Sequence, residues 1–192
     1  TYIIAPALKS MGARRVSAAF VSHPDSDHCN GILELLENGE VQIEQLILPA
    51  IAKKARTDEF TELLQAAESA KVSVGYMGAG DSWQQGQMYF ACMGPQKGME
   101  AQEANSYSQV FLMRKGEFSM LLTGDVQDEG EEYLLQQLTE MQRQGELPRL
   151  TLLKVAHHGS RNSTPKELLS LLNPQYGIIS CGENNSYGHP HA

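Results

Sequence analysis

Residues 22–31 read Ser-His-Pro-Asp-Ser-Asp-His-Cys-Asn-Gly, which sets two histidines, two aspartates and a cysteine within seven positions. Imidazole and carboxylate together suit zinc, manganese or iron. The four groups of His23-x-Asp25-x-Asp27-His28 exceed what one tetrahedral ion takes once distant residues join, so the spacing leaves room for two adjacent ions. The same stretch also reads as a polar loop whose aspartate caps the following helix. Cys29 reads as a first-turn helix residue packing inward, with a ligand role as the alternative.

Groups of the same kind recur at three later places. Asp125 closes the apolar run "MLLTG", as a ligand or as the cap of the next helix. His157 and His158 stand side by side after "LLKVA". Adjacent side chains point in different directions, so one can bind metal while the other meets substrate or packs, a solvated pair being the alternative. The tail "ENNSYGHPHA" adds His189 and His191, which Pro190 is expected to stiffen apart. His189 either reaches the site or belongs to a surface loop.

These residues need strand ends and helix starts to aim them. The pattern predicts a strand over 15–21, a helix over 31–39, a strand over 41–49, a helix over 57–70 and a strand over 71–77. "QMYFACMG" follows, then two apolar runs flanking Lys115-Gly116-Glu117, a hairpin signal. A helix over 129–144, a strand over 150–156, a helix over 163–173 and a strand over 175–181 complete the set. Thr164-Pro165-Lys166-Glu167 reads as a capping box. The alternation argues for layered α/β architecture with helices covering the sheet faces. Residues 94–105 read as a mobile loop.

Composition sets the bounds. The chain has 192 residues, 41% apolar and 20% charged, an ordinary globular balance. Without repeats, low-complexity tracts or a linker, residues 1–192 are expected to form one domain. A net charge of -8 repels phosphate backbones unless bound cations reverse the local field. Lys53, Lys54 and Arg56, the one dense basic stretch, read as a solvated loop. Cys29, Cys92 and Cys181 are far apart and in no CxxC pattern, so they read as small buried hydrophobes rather than a disulfide framework. No run of 18 apolar residues is present, so no membrane span is expected within the chain, and the first residues lack the shape of a signal peptide.

Taken together, the motifs resemble the metallo-β-lactamase superfamily, whose HxHxDH is here His23-Pro-Asp25-Ser-Asp27-His28 with aspartate in place of the second histidine. Within it, "FVSHPDSDHCNG", "FSMLLTGDV", "LLKVAHHGS" and "NNSYGHPH", in that order, resemble the C-terminal hydrolase domain of ComEC-type DNA-internalisation competence proteins. The resemblance covers about residue 10 to the end of the chain. It implies an αββα sandwich around two divalent metal ions, zinc or manganese. His23 and Asp25 would hold one ion, Asp27 and His28 the other, with Asp125 bridging them and His158 completing the second. Superfamily members usually supply a further histidine before the Asp125 strand, and residues 94–113 contain none. Asn105 and Ser108 occupy that place, so the first ion would be weakly held, water-rich or completed by His189. The family also begins with a strand hairpin not represented here, so the domain is expected to be partial at its N-terminus.

The implied function is a metal-dependent phosphodiesterase or nuclease acting on DNA during uptake. Asp27 would orient the attacking water, and His157 or His189 would protonate the leaving oxygen or hold the phosphate. Asn105, Ser108, Ser160, Asn185 and His191 are the expected substrate contacts. The implied partner is the membrane channel portion of the same full-length protein, with this domain membrane-associated on the extracytoplasmic side. Two alternatives stay open: a metallo-hydrolase of a small ester or phosphocholine-type substrate, and an inert module that binds DNA or a partner.

Overall fold

The computed structural model describes residues 3–191. The chain forms two compact units, Thr1–Met77 and Gly78–Ala192, the first with a two-stranded and a three-stranded sheet and the second with one six-stranded sheet, each unit with its own core.

The first unit runs α1 (Ile4–Ser10), β1 (Arg15–Val16), β2 (Ala19–Phe20), α2 (Ser26–Asn38), β3 (Gln42–Ile43), β4 (Gln45–Pro49), α3 (Asp58–Ser69) and β5 (Ser73–Met77). The expected strands 15–21 and 41–49 are each interrupted once. β1 pairs with β3 and β2 with β4, both parallel, and the register is kept across the two breaks, so the strands bend together. The three-stranded sheet has the order β2-β4-β5. Leu46, Ile47 and Leu48 of β4 are all buried, the mark of a central parallel strand covered on both faces. Phe60 and Leu63 of α3 and Cys29 and Leu35 of α2 complete this core. The Thr57 hydroxyl accepts the Phe60 N–H and caps α3. Gly39, at φ 62°, ends α2 as the sequence suggests. α2 starts five residues before the expected boundary, at Ser26, which carries Asp27, His28 and Cys29 into its first turn.

The second unit continues with β6 (Ser82–Gln85), β7 (Met88–Gly94), β8 (Val110–Lys115), β9 (Phe118–Leu122), α4 (Asp128–Gln144), β10 (Leu152–Lys154), α5 (Lys166–Leu172) and β11 (Tyr176–Ile178). Its six-stranded sheet has the order β11-β10-β9-β8-β7-β6. β9, β10 and β11 are mutually parallel, whereas β6 to β9 form an antiparallel meander. The expected hairpin is present: Lys115 pairs with Phe118 across Gly116-Glu117, with Gly116 at φ 57°. Leu112, Leu121 and Leu153 of the sheet pack with Leu134 and Leu138 of α4 and Leu168 of α5.

Two local readings are corrected. The capping box at 164–167 does not form: the Thr164 hydroxyl accepts the Ala156 N–H instead, and the Thr164 N–H goes to Glu131. α5 accordingly starts without a side-chain cap. Cys181 is exposed, unlike Cys29 and Cys92, because it follows β11, an edge strand whose three residues are all exposed. Segment 94–105 is irregular but fastened. Tyr107 Oη bonds both the N–H and the carbonyl of Ala101, and Lys97 pairs with Asp81.

Gly130, in the first turn of α4, is where the backbone of 104–107 comes closest. A Cβ there would lie 2.3 Å from the Ser106 carbonyl oxygen. That approach lets the Ser106 hydroxyl, which lies within hydrogen-bond distance of Gln127 O and Glu129 Oε2, tie this turn to α4. Gly130→Ala is expected to destabilise the fold by roughly 1–3 kcal/mol, read as a lower midpoint in urea unfolding.

Candidate metal centre

In the first unit the donors sit at the C-terminal end of a parallel strand, where open α/β sheets gather ligands. Val21 N–H still bonds the Ile47 carbonyl. The chain then turns through Ser22–Asp25 into α2. Asp25 is the N-cap residue, yet its side chain makes no capping bond, so the helix-cap alternative does not account for it. Its Oδ2 lies 3.6 Å from His23 Nε2, and Asp27 Oδ2 lies 3.5 Å from His28 Nε2. Ser22 Oγ reaches both imidazoles on the opposite edge, at 3.2 Å from His23 Nδ1 and 3.3 Å from His28 Nδ1.

That serine limits the protonation of the pair. A hydroxyl has one proton, so it donates to at most one ring. When both rings are neutral and both contacts are hydrogen bonds, at least one ring is N–H at Nδ1 and presents a bare Nε2 lone pair. His23 is 1% exposed, and its Nε2 is buried with no hydrogen-bond partner. Such an orphan is costly in an apolar interior unless something binds it. Ligand atoms around an ion with bonds near 2.1 Å stand about 3.0–3.4 Å apart in octahedral or tetrahedral arrangements. The two imidazole–carboxylate separations are close to that spacing and long for hydrogen bonds. The residues present therefore fit a divalent cation. Cys29 leaves the donor set: burial, with Glu59 and Asp25 nearby, pushes its thiol up to about 11, and its Sγ donates to the Pro24 carbonyl.

In the second unit Asp125 follows β9 and is 3% exposed. Its backbone N–H donates to Ser108 Oγ at 3.2 Å, which explains why Ser108 is fully buried. His158 Nε2 lies 3.1 Å from Asp125 Oδ2, while His158 Nδ1 donates to the Ser180 carbonyl at 2.7 Å. A backbone carbonyl only accepts, so Nδ1 carries the proton and Nε2 is the nitrogen left to bind a metal, as when a second contact orients a metal-binding histidine. His157 Nδ1 is paired with Gln127 Oε1 at 2.8 Å. Both histidines hold positive φ, 44° and 54°, a costly backbone for side chains with a Cβ. Lys154 donates to the Gly124 carbonyl and lies 3.3 Å from Asp125 Oδ1, supplying a cation to the buried carboxylate.

The tail folds onto this turn. Asn185 accepts the His189 N–H at 2.9 Å and donates to the His189 carbonyl at 2.7 Å. His191 N–H bonds the Gly159 carbonyl, and its Nδ1 accepts the Arg161 N–H. The rings of His189 and His191 are 4.8 Å apart, so Pro190 does not hold them apart as expected; these backbone anchors draw them together. His157, His158, His189 and His191 thus form one cluster. Burial, then the charges of His191 and His158, hold the His189 imidazolium below its ordinary range. Ser160 accepts the Asn162 N–H, and Asn105 Oδ1 is buried without a partner. Ser22, Gln127 and Lys154 were missed from sequence. A lysine inside the apolar run "LLKVA" was the available signal for the last.

No protein-family model matches the chain. It is 33% identical over 189 residues to ComE operon protein 3 of Bacillus subtilis (strain 168), covering 98% of this chain and 23% of that protein. Recombination protein 2 of Haemophilus influenzae is 30% identical over 174 residues, 89% of this chain and 18% of that one. Competence protein ComA of Neisseria gonorrhoeae is 28% identical over 189 residues, 97% and 23% respectively. The chain therefore spans less than a quarter of the length of these curated relatives. Among solved structures, CmlA, a diiron β-hydroxylase from Streptomyces venezuelae, matches with TM-score 0.55 and 11% identity over 85% of this chain and 35% of that one. Igni18, a metallo hydrolase from Ignicoccus hospitalis KIN4/I, matches with TM-score 0.50 and 13% identity over 84% and 62%. At these identities the structural likeness is one of fold. It bears out the metallo-β-lactamase-like fold class, and the relatives bear out the ComEC-type resemblance of the four motifs.

The histidine turn is anchored from α4. Glu131 Oε1 accepts the Thr164 N–H, and Thr164 Oγ1 accepts the Ala156 N–H one residue before His157. Burial pushes the Glu131 carboxyl up to about 7, with Asp128 adding to the rise and the Thr164 N–H opposing it. A raised carboxyl favours folding below its unfolded pKa near 4.5, and that contribution is lost as pH rises through about 7. Glu131→Gln keeps the accepting oxygen and removes the charge. It is expected to raise stability at pH 8 by roughly 1–2 kcal/mol after allowance for partial exposure, with the gain vanishing below about pH 4.5, read from thermal melts across pH.

Proposed function

Given a chain homologous to the ComEC-type competence proteins and built on the metallo-β-lactamase-like fold, we propose that it is a metal-dependent phosphodiesterase that cleaves DNA during uptake. The observation that carries this reading is the buried, partnerless Nε2 of His23 beside the Asp25 carboxylate. As the family resemblance implies, His23 and Asp25 would hold one divalent ion, zinc or manganese, and Asp27 and His28 a second. Asp125 would bridge and His158 complete the second set. When bound, the ions supply Lewis acidity, activation of water near neutral pH and charge neutralisation of a phosphodiester.

The chain's own groups do the rest. Asp27, whose side chain is 61% exposed, orients the attacking water and accepts its proton. His157, its Nδ1 tied to Gln127, delivers a proton from Nε2 to the leaving oxygen. His189, favoured as neutral imidazole, donates one N–H to a phosphate oxygen. Asn105, Ser160, Asn185 and His191 are the substrate contacts, whereas Ser108, fully buried with its Oγ on the Asp125 N–H, braces the site rather than touching substrate as expected. Two bound cations would offset the repulsion that DNA otherwise meets at a surface of net charge -8. The reading includes attachment to a membrane channel in the full-length protein, with this module on the extracytoplasmic side. No helix of the described residues is long and apolar enough to cross a membrane.

Elemental analysis of protein purified without chelator is expected to find about two divalent ions per chain, and manganese or zinc should stimulate cleavage of DNA. Asp125→Ala is expected to lower metal content and cut cleavage by more than about 100-fold while circular dichroism stays unchanged. Metal-loaded protein that hydrolyses a lactone or phosphocholine ester but leaves DNA and a simple bis-phosphodiester intact would overturn the substrate assignment. Protein that binds no metal would make the chain an inert module.

A further inference from the structure

Tyr187 is the most exposed aromatic side chain among the described residues, at 76%, yet its position is defined. Its ring lies 5.6 Å from that of His189 at an interplanar angle of 21°, and His189 lies 6.2 Å from His158 at 20°. The three rings share an orientation and make a ladder running from Asp125, which His158 contacts, out to solvent. The loop beneath it is braced. Asn185 bonds the His189 N–H and carbonyl and the Gly182 carbonyl, and Gly188 N–H returns to the Asn185 carbonyl. Tyr187 thus has His189 on one side and is otherwise open to solvent, on a loop already held by these bonds.

Charge argues for what that face receives. Proteins that bind nucleic acid nonspecifically draw their affinity from basic grooves along the phosphates, and this chain has a net charge of -8 with no basic stripe. Stacking of a base on an aromatic ring requires no cation and tolerates any base. We infer that Tyr187 is a stacking platform for an unpaired nucleobase, making single-stranded nucleic acid the preferred substrate class; this rests on the phosphodiesterase reading of the same site. A base inside a duplex is already stacked and must be flipped out before it reaches such a platform, at a cost of a few kcal/mol.

The test is fluorescence anisotropy with metal-loaded wild-type protein, Tyr187→Ala and Tyr187→Trp. The probes are a phosphorothioate single strand that resists cleavage, an abasic strand with the same number of phosphates, and a duplex of the same sequence. Tyr187→Ala is expected to weaken single-strand binding roughly 5- to 100-fold, and Tyr187→Trp to retain it. The wild type should bind the abasic strand as weakly as Tyr187→Ala binds the normal one, with duplex affinity the same in all three proteins. Equal single-strand affinity in wild type and Tyr187→Ala, no measurable binding by either, or an equal loss on the abasic strand or the duplex overturns the inference. Binding is read on uncut strands, so failure of wild-type protein to cleave ordinary DNA counts against the phosphodiesterase reading and not against stacking.

Discussion

A buried imidazole nitrogen with nothing to bind is the constraint around which the first unit is arranged. His23 is held at the end of β2 with Ser22 Oγ on its Nδ1 side and the Asp25 carboxylate 3.6 Å from its Nε2. Buried without a hydrogen-bond partner, that nitrogen is costly in a low-dielectric interior unless something binds it. A divalent cation held there would satisfy both groups. The early start of α2 serves the same end, because it carries Asp27 and His28 into the first helical turn, where the second imidazole faces the second carboxylate.

The second unit reaches a comparable arrangement by a different route. Three parallel strands end at one edge, and the turns after β9 and β10 carry Asp125 and the histidine pair. Here the backbone itself is strained, with consecutive positive φ angles at His157 and His158. Strain of this kind persists only where neighbours over-determine the conformation. Those neighbours are identifiable: Gln127 and Ser180 take the two Nδ1 positions, while Thr164 and Glu131 anchor the segment on either side. The interactions that brace the turn are therefore also the ones that select which histidine nitrogen is offered outward.

Electrostatics connects the site to its substrate class. A net charge of -8 and the proposed phosphodiester substrate are compatible only if positive charge is brought in as cations or if affinity comes from uncharged contacts. Cations held by the proposed ligand sets would answer the first need. Stacking on Tyr187, as inferred above, would answer the second, because base–aromatic stacking needs no cation.

The sequence by itself determined the element types, the layered α/β class and most of the candidate donors, because these depend on local facts: hydrophobic period, glycine stops and clustered histidine and aspartate, while the metallo-β-lactamase-like fold followed from the resemblance of the motifs. The hairpin at Gly116 and the helix stop at Gly39 were legible for the same reason. Legibility ended wherever a partner distant along the chain decided the outcome. The cap expected at Thr164 was lost because Ala156 and Glu131 offered Thr164 better bonds, and Cys181 is exposed because its strand lies at a sheet edge. The spacing His189-Pro190-His191 suggested separated rings, whereas Asn185, Gly159 and Arg161 bring them together. Ser22, Gln127 and Lys154 carry no motif, and only tertiary structure assigns them, since which nitrogen bears a proton and which carboxylate gains a cation depend on distances that no local pattern encodes.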